Sequence, residues 1–427
     1  MSMWRVTTIV LLAGLCWVGT RRFKTLINPV VIVCGPWAGM LLGQQLFGPF
    51  FPFRATAALL VCVAALAFTL GAFAVSLHSP GALQPTEMTL RLQPHAIALW
   101  PAVSWSLVAL AATSLAIFLY YGFVLGVGRV GGGGLVFYAL TDAIRGTAWE
   151  WIQRLCQLTV YVAAALFALE TVRLRRIGLR AGLFLAVVIL QSWLVSNRLP
   201  TFLILSVFAV TWATMFAARL RRPALRTVGI TAVVVGLALA FYWYTTARRH
   251  AGQLSSLTLT LDLLSVFVGP PSAFSAHLAT TDGWHFGTLK GITIQGPLEL
   301  FGLSQRGMGQ FEPITPVPGL ALHTNVFSGL AMILDEVGVV GAIAVMIVLG
   351  SLTTGVVSSF HRKPKMAKAA VLTSLYLLLF WLPVVLLTYY VFWTVQLLLV
   401  ALLGSLFFSV HAVRPIGSER GSVAVRT

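Results

Sequence analysis

Between Ala55 and Leu77 the chain carries no charged side chain, and stretches of this kind recur along nearly its whole length. A run of about 20 apolar residues is what a helix needs to cross the hydrocarbon core of a bilayer with every backbone N–H and C=O satisfied internally. Further runs extend over Trp4 to Gly19, Ile27 to Phe47, Ile97 to Val127, Gln157 to Thr171, Ala181 to Val195 and Leu199 to Ala217. Others cover Val228 to Thr246, Glu336 to Val356, Ala370 to Thr388 and Val391 to Val410. The pattern predicts an all-α, polytopic integral membrane protein with about eleven transmembrane helices in one transmembrane domain. Composition agrees, because a chain of 427 residues with 58% hydrophobic and 9% charged side chains has too few charges to cover a soluble surface. The first run lacks a small-residue cleavage site and is followed at once by Arg21, Arg22 and Lys24, which predicts a retained helix and not a removed signal peptide. The short run Leu257 to Val268 cannot span and is expected to be re-entrant or interfacial.

Orientation follows from the basic loops, which stay on the cytoplasmic side. Three loops are plainly basic: Arg173 to Arg180, Arg219 to Arg226 and Arg362 to Lys368. With eleven helices and a periplasmic N-terminus these fall on one side with Arg21, Arg22, Lys24, Arg91 and the C-terminal tail. Topology and anionic lipid then account for most of the +18 net charge without a nucleic-acid partner. The basic residues left on the other side are Arg5, Arg54, Arg129, Arg145, Arg154, Arg198, Arg248, Arg249, Arg306 and Lys290. All but the last are arginine, whose planar fork grips phosphate oxygens in pairs and keeps its charge when desolvated. A phosphate-bearing ligand on that face fits this bias, and so does a genome whose codon usage favours arginine throughout.

The four cysteines, Cys16, Cys34, Cys62 and Cys156, have no paired spacing and read as small apolar core residues. No Cys/His cluster has zinc spacing, and Gly131 to Gly134 lacks the flanking strand of a nucleotide-binding turn, so neither a metal nor a nucleotide cofactor is expected. That glycine run reads as a flexible joint into an outer loop, Leu135 to Arg154. The longest polar region, residues 247–335, is expected to be a large periplasmic loop with re-entrant or interfacial helices. It holds Arg248, Arg249, Asp262, His277, Asp282, His285, Glu299, Arg306, Glu312 and His323. Each of these alone fits a solvated loop side chain. Their density in a charge-poor chain marks the loop as a whole, since sites collect on loops held by rigid scaffolds. Arg198, in Ser196-Asn197-Arg198-Leu199-Pro200 between two apolar runs, needs a partner for its charge.

Several segments are familiar. Thr324-Asn325-Val326-Phe327, followed by Leu334-Asp335-Glu336-Val337-Gly338-Val339-Val340-Gly341, resembles a stretch of the bacterial oligosaccharide repeat-unit polymerases, the O-antigen polymerase (Wzy) family. Weaker echoes follow the same order: Asn28-Pro29, Ser196-Asn197-Arg198, and Phe267-Val268-Gly269-Pro270 to Ala273-Phe274 after an Arg pair. The resemblance covers most of the chain in layout but only about 40 residues in motif. It implies an inner-membrane glycosyltransferase that moves a glycan from undecaprenyl pyrophosphate, at its reducing-end C1, onto a hydroxyl of another lipid-linked unit, without metal or nucleotide. The product would be O-antigen, exopolysaccharide or capsule, and a chain-length regulator is a possible protein partner.

On that reading an arginine clamp stabilises the charge developing on the leaving pyrophosphate, and a base takes the acceptor proton. Arg198, Arg248 and Arg249 are assigned to pyrophosphate, Arg306 to pyrophosphate or acceptor sugar, and Asn325 to substrate. His323 is the first candidate base, followed by Asp262, Glu299 and Glu312. His323 precedes a stretch in which Val326, Leu330 and Ile333 recur at helical spacing, predicted to lie along the membrane face. A histidine that merely caps the next helix is the alternative. A rival function is an O-antigen ligase acting on lipid A core. Ligases carry a His-Asn pair before a similar helix, whereas His323-Thr324-Asn325 is one residue longer. A lipid-linked oligosaccharide flippase is a third reading, disfavoured because transport calls for charged or broken helices in both halves.

Overall fold

The computed structural model describes residues 3–46, 51–78, 88–127, 129–130, 134–135, 137–195, 198–216, 268–280, 293, 297–298, 303, 315–316, 323–324, 328–387 and 391–412. Apolar helices form where the apolar runs lie. They are α1 (Met3–Phe23), α2 (Pro29–Leu46), α3 (Ala55–His78), α4 (Ala96–Leu119), α6 (Ala148–Leu174), α7 (Leu179–Val195) and α8 (Arg198–Phe216). After them come α10 (Gly329–Arg362), α11 (Met366–Trp381) and α12 (Val391–Phe407). Two shorter helices, α5 (Phe137–Ile144) and α9 (Pro270–Thr280), lie between spans. Among the described residues, 6 helices are long and apolar enough to cross a bilayer, and four further apolar helices are shorter. The chain is a multi-pass helical membrane protein. The run Val228 to Thr246 and most of Leu257 to Val268 lie outside the described residues.

Local chemistry sets the helix ends. Asn28 caps α2, its Oδ1 accepting from Val31 N–H at 3.1 Å, and Pro29 takes the first helical position, where a missing N–H costs nothing. α6 begins well before the apolar run that predicted it, so the expected outer loop is partly helix. Glu150 accepts from the N–H of Gly146 at 2.7 Å and from Arg154 at 2.5 Å, which stabilises a polar first turn beside exposed Trp149 and Trp151. The glycine run is flanked by a two-residue pair, β2 (Arg129–Val130) against β3 (Gly134–Leu135).

The most extensive helix pair is α3 with α10. Its backbones touch: a Cβ on Gly71 would lie 2.1 Å from Ile347 O, and one on Gly350 would lie 2.1 Å from Phe68 O. Small residues that let backbones approach replace the hydrophobic drive that lipid cannot supply. Ser351 Oγ donates to Gly71 O at 3.1 Å across the same contact. The cysteines are all free, and Cys34 and Cys156 are buried.

Polar contacts sort the helix ends into two faces. On one, Arg22 donates to Ser76 O at 2.6 Å, and strand β1 (Met88–Leu92) pairs antiparallel with β6 (Phe408–Ala412). On this face Trp100, packed against Phe407 and Phe408, donates its indole N–H to Glu170 at 2.9 Å. The other face carries Arg5, Gln44, Arg54, α9 and the start of α10. Removing the acceptor of a buried donor costs about 1–3 kcal/mol. Glu170→Ala is therefore expected to lower the melting temperature of the detergent-solubilised protein, while Glu170→Gln, which keeps an oxygen for Trp100, recovers most of the loss.

Candidate functional site

The short helix α9 is the centre of the second face. Pro270 and Pro271 start it, and the N–H groups of Ser272 and Ala273 both bond to Gly269 O, at 2.8 and 3.0 Å. Ser272 and Ser275, three residues apart, share one side and are fully buried. Gln44 of α2 donates its amide to Ser272 Oγ at 2.9 Å and to Val268 O, and the N–H of Arg54 donates to Ser275 Oγ at 2.9 Å. Gly43 lets α2 come this close, since a Cβ there would sit 2.6 Å from Val268 Cγ1. Trp37 meets Phe274 edge-on at 6.1 Å. Arg5 reaches the same corner from α1. Arg5 is 3% exposed, and its guanidinium donates to Gln44 O at 2.8 Å and to Phe51 O, so backbone carbonyls answer its charge.

His277, two residues past Ser275, turns toward a different side and meets α10. Its Nε2 lies 3.0 Å from Oδ1 of Asp335. The Asp335 side chain is 39% exposed and that of His277 13%, so the pair sits at an accessible edge and not in the core. Asp335 is presented there by a break in α10. Gly338 has φ 68° and ψ −179°, a conformation open only to glycine, so the first nine residues of α10 form a separate short segment ending beside the pair. The N-cap Ser328 accepts from Leu330 N–H at 3.1 Å, and Gly329 N–H donates to Leu382 O at 2.8 Å, docking that segment on the end of α11. Leu330 and Ile333 are consequently buried within the bundle, where the sequence had suggested a stretch along the membrane face.

Of the residues singled out from sequence, Arg198 is the first residue of α8 and His323 belongs to strand β5 (His323–Thr324). Their side chains lie outside the described residues, as do Asp262, Glu299, Glu312, Arg248, Arg249, Arg306 and Asn325 altogether. The partner strand β4 (Thr315–Pro316), in which Pro316 stands opposite His323, packs against α9. His323 thus belongs to a strand pair that adjoins the helix carrying His277. Sequence reasoning placed His277 in the polar loop and Asp335 in the motif, but did not pair them, because 57 residues intervene. The signal was nonetheless there: the acid falls three residues before a glycine inside an apolar run. Among the described residues no three His, Cys, Asp or Glu side chains converge as metal ligands do.

No family model, curated protein or solved structure matches the chain. An imidazole bonded to a carboxylate can take a proton from a hydroxyl. Exposed Arg54, tied through its backbone to α9, puts a guanidinium on the same face.

Proposed function

We propose that the chain is a bacterial oligosaccharide repeat-unit polymerase, transferring a glycan from undecaprenyl pyrophosphate to a hydroxyl of a second lipid-linked unit. The observation that carries this reading is a juxtaposition. The segments of resemblance at 267–274 and 334–341 are far apart in the chain, yet α9, which carries most of the first, reaches Asp335 in the second through His277, three residues past the first segment. Asn28-Pro29, a third such segment, opens α2, on whose far end α9 docks. A lipid-linked donor keeps its tail in the bilayer, so its pyrophosphate and sugar belong at the end of a helical bundle of this kind.

The topology of the proposal has about eleven spans, a periplasmic loop over residues 247–335 and the α9 face toward the periplasm of the inner membrane. The described basic loops support it, since Arg21, Arg22, Lys24, Arg173, Arg175, Arg176, Arg180, Lys363, Lys365 and Lys368 gather at the opposite end. In a variant with the four native cysteines replaced by alanine, Arg145→Cys should react with a membrane-impermeant maleimide in spheroplasts. Lys363→Cys should react only after the membrane is opened. The reverse labelling would invert the topology.

In cells, loss of the chain should leave single repeat units on the lipid carrier at the periplasmic face. Long polymer held on the carrier would point to a ligase, and units trapped at the cytoplasmic face to a flippase.

A further inference from the structure

We propose that Arg54, in the corner it shares with buried Arg5, binds the pyrophosphate of the lipid-linked donor, an inference that rests on the glycan-transfer reading above. On the proposed topology the arginines with described side chains on the α9 face are Arg5, Arg54, Arg145 and Arg154. Arg145 already pairs with Asp142 at 3.2 Å, and Arg154 with Glu150 at 2.5 Å. Among the described residues no carboxylate forms an ion pair with Arg5 or Arg54. The two carbonyls that hold the Arg5 guanidinium are neutral groups, and its Nε has no acceptor among the described residues. Its unit charge is therefore held in place without being neutralised, and a buried charge is screened little by salt. Phe51, whose carbonyl accepts from Arg5, is three residues from Arg54, a span of about 11 Å at most. The two cations act on one patch of surface.

The backbone at Arg54 is fixed while its side chain is left exposed. Its N–H donates to Ser275 Oγ at 2.9 Å, and its C=O accepts from the N–H of Ala58 at 3.1 Å. Phe51 and Phe53 of the same segment are buried. Ser275 belongs to α9, which Gln44 of α2 clamps at Ser272. A cation on so firm a base loses less freedom on binding than one carried by a mobile segment.

Depth selects the class of anion. Arg5 stands in the first turn of α1, and Arg54 immediately precedes α3, an apolar helix without a charged side chain before His78. Both belong at the level of the lipid headgroups, where the anions are lipid phosphates. A guanidinium grips two phosphate oxygens at once and keeps its charge when partly desolvated. A lipid-linked pyrophosphate carries negative charge on both of its phosphates, and a phospholipid headgroup on its single phosphodiester. A corner with two cations that lack carboxylate partners favours the pyrophosphate.

Arg5→Ala would also remove the tie between α1 and α2, so the test is made at Arg54. The purified full-length chain in neutral detergent is given labelled undecaprenyl pyrophosphate, and lipid retained by the immobilised protein is measured with and without phosphatidylglycerol. Arg54→Ala should weaken binding by about tenfold or more, the loss expected for a hydrogen bond to a charged group. Arg54→Glu should abolish it, and Arg54→Lys should fall between. Arg145→Ala, which removes a guanidinium already paired, should bind within about twofold of the unsubstituted protein. Melting temperatures should stay unchanged in the Arg54 variants, because Arg54 is tied to the fold through its backbone. Unchanged binding in Arg54→Ala and Arg54→Glu would overturn the assignment. Displacement of the pyrophosphate by an equimolar amount of phosphatidylglycerol would overturn it too, by making the corner a phospholipid site. If Arg54→Glu fails to fold, Arg54→Ala and Arg54→Gln decide. Elongation in liposomes separates this inference from the reading beneath it. A product ladder from the unsubstituted protein, with carrier binding unaffected at Arg54, removes the site alone. Carrier binding that depends on Arg54, without any glycan transfer by the unsubstituted protein, removes the polymerase reading and leaves the pyrophosphate site standing.

Discussion

Gly350→Ala and Gly71→Ala are each expected to abolish the folded protein. In both cases the added methyl carbon lands 2.1 Å from a carbonyl oxygen of the facing helix, Phe68 O for Gly350 and Ile347 O for Gly71. The obstacle is backbone, so no side-chain rotation relieves it, and α3 and α10 must separate along their main contact. Ordinary overpacking in a core costs about 1–3 kcal/mol. Here the two helices also lose the Ser351 to Gly71 hydrogen bond and their interlocked surfaces. Total stabilities are only about 5–15 kcal/mol, so such a displacement is a large fraction of the whole. Gly355→Ala, on the same helix but with nothing within 4 Å of its added carbon, provides the control. Size-exclusion profiles of detergent extracts should show a monodisperse peak for Gly355→Ala and none for the other two.

The second large effect concerns Arg198. It opens α8 immediately after the Ser196-Asn197 junction, with Pro200 in the first helical turn, and on the proposed topology it lies on the same face as α9. If it grips the pyrophosphate of the donor, Arg198→Ala should lower elongation by about 10²- to 10³-fold, the range seen when a charge-stabilising donor is removed. Arg198→Lys keeps the charge and loses the two-pronged geometry, so it should remain impaired by about 10-fold or more. Full polymer synthesis by both variants at normal protein levels would exclude Arg198 from the site and leave it a helix-end residue. Elongation assays in liposomes with matched protein amounts provide the measurement.

The apolar helices were legible because apolar length is the dominant signal in such a chain, and the run Ile27 to Phe47 marked α2, whose start Asn28 caps. Less legible was the start of α6, where Glu150 and Arg154 break the apolar pattern yet support a helical turn through their own ion pair. Gly269-Pro270-Pro271 could be taken for a turn, although proline in a first turn is also how a helix such as α9 begins. The burial of Leu330 and Ile333 could not be read from their spacing. A helix stripe looks the same whether it faces lipid headgroups or a neighbouring helix, and the docking on Leu382 that decides between them is a tertiary contact. The pairing of His277 with Asp335 was hidden for a similar reason: its two halves are legible as polar residues, but only the fold of α9 against the broken end of α10 brings them together.

The most direct measurement is elongation by the purified chain alone, in liposomes holding a single species of lipid-linked repeat unit, with no added metal, nucleotide, lipid A core or ion gradient. The account predicts a ladder of products on the lipid carrier, each one repeat longer than the last, and an equivalent release of lipid pyrophosphate. Repeat units that stay single, and appear instead on added core or on the opposite leaflet, would contradict it.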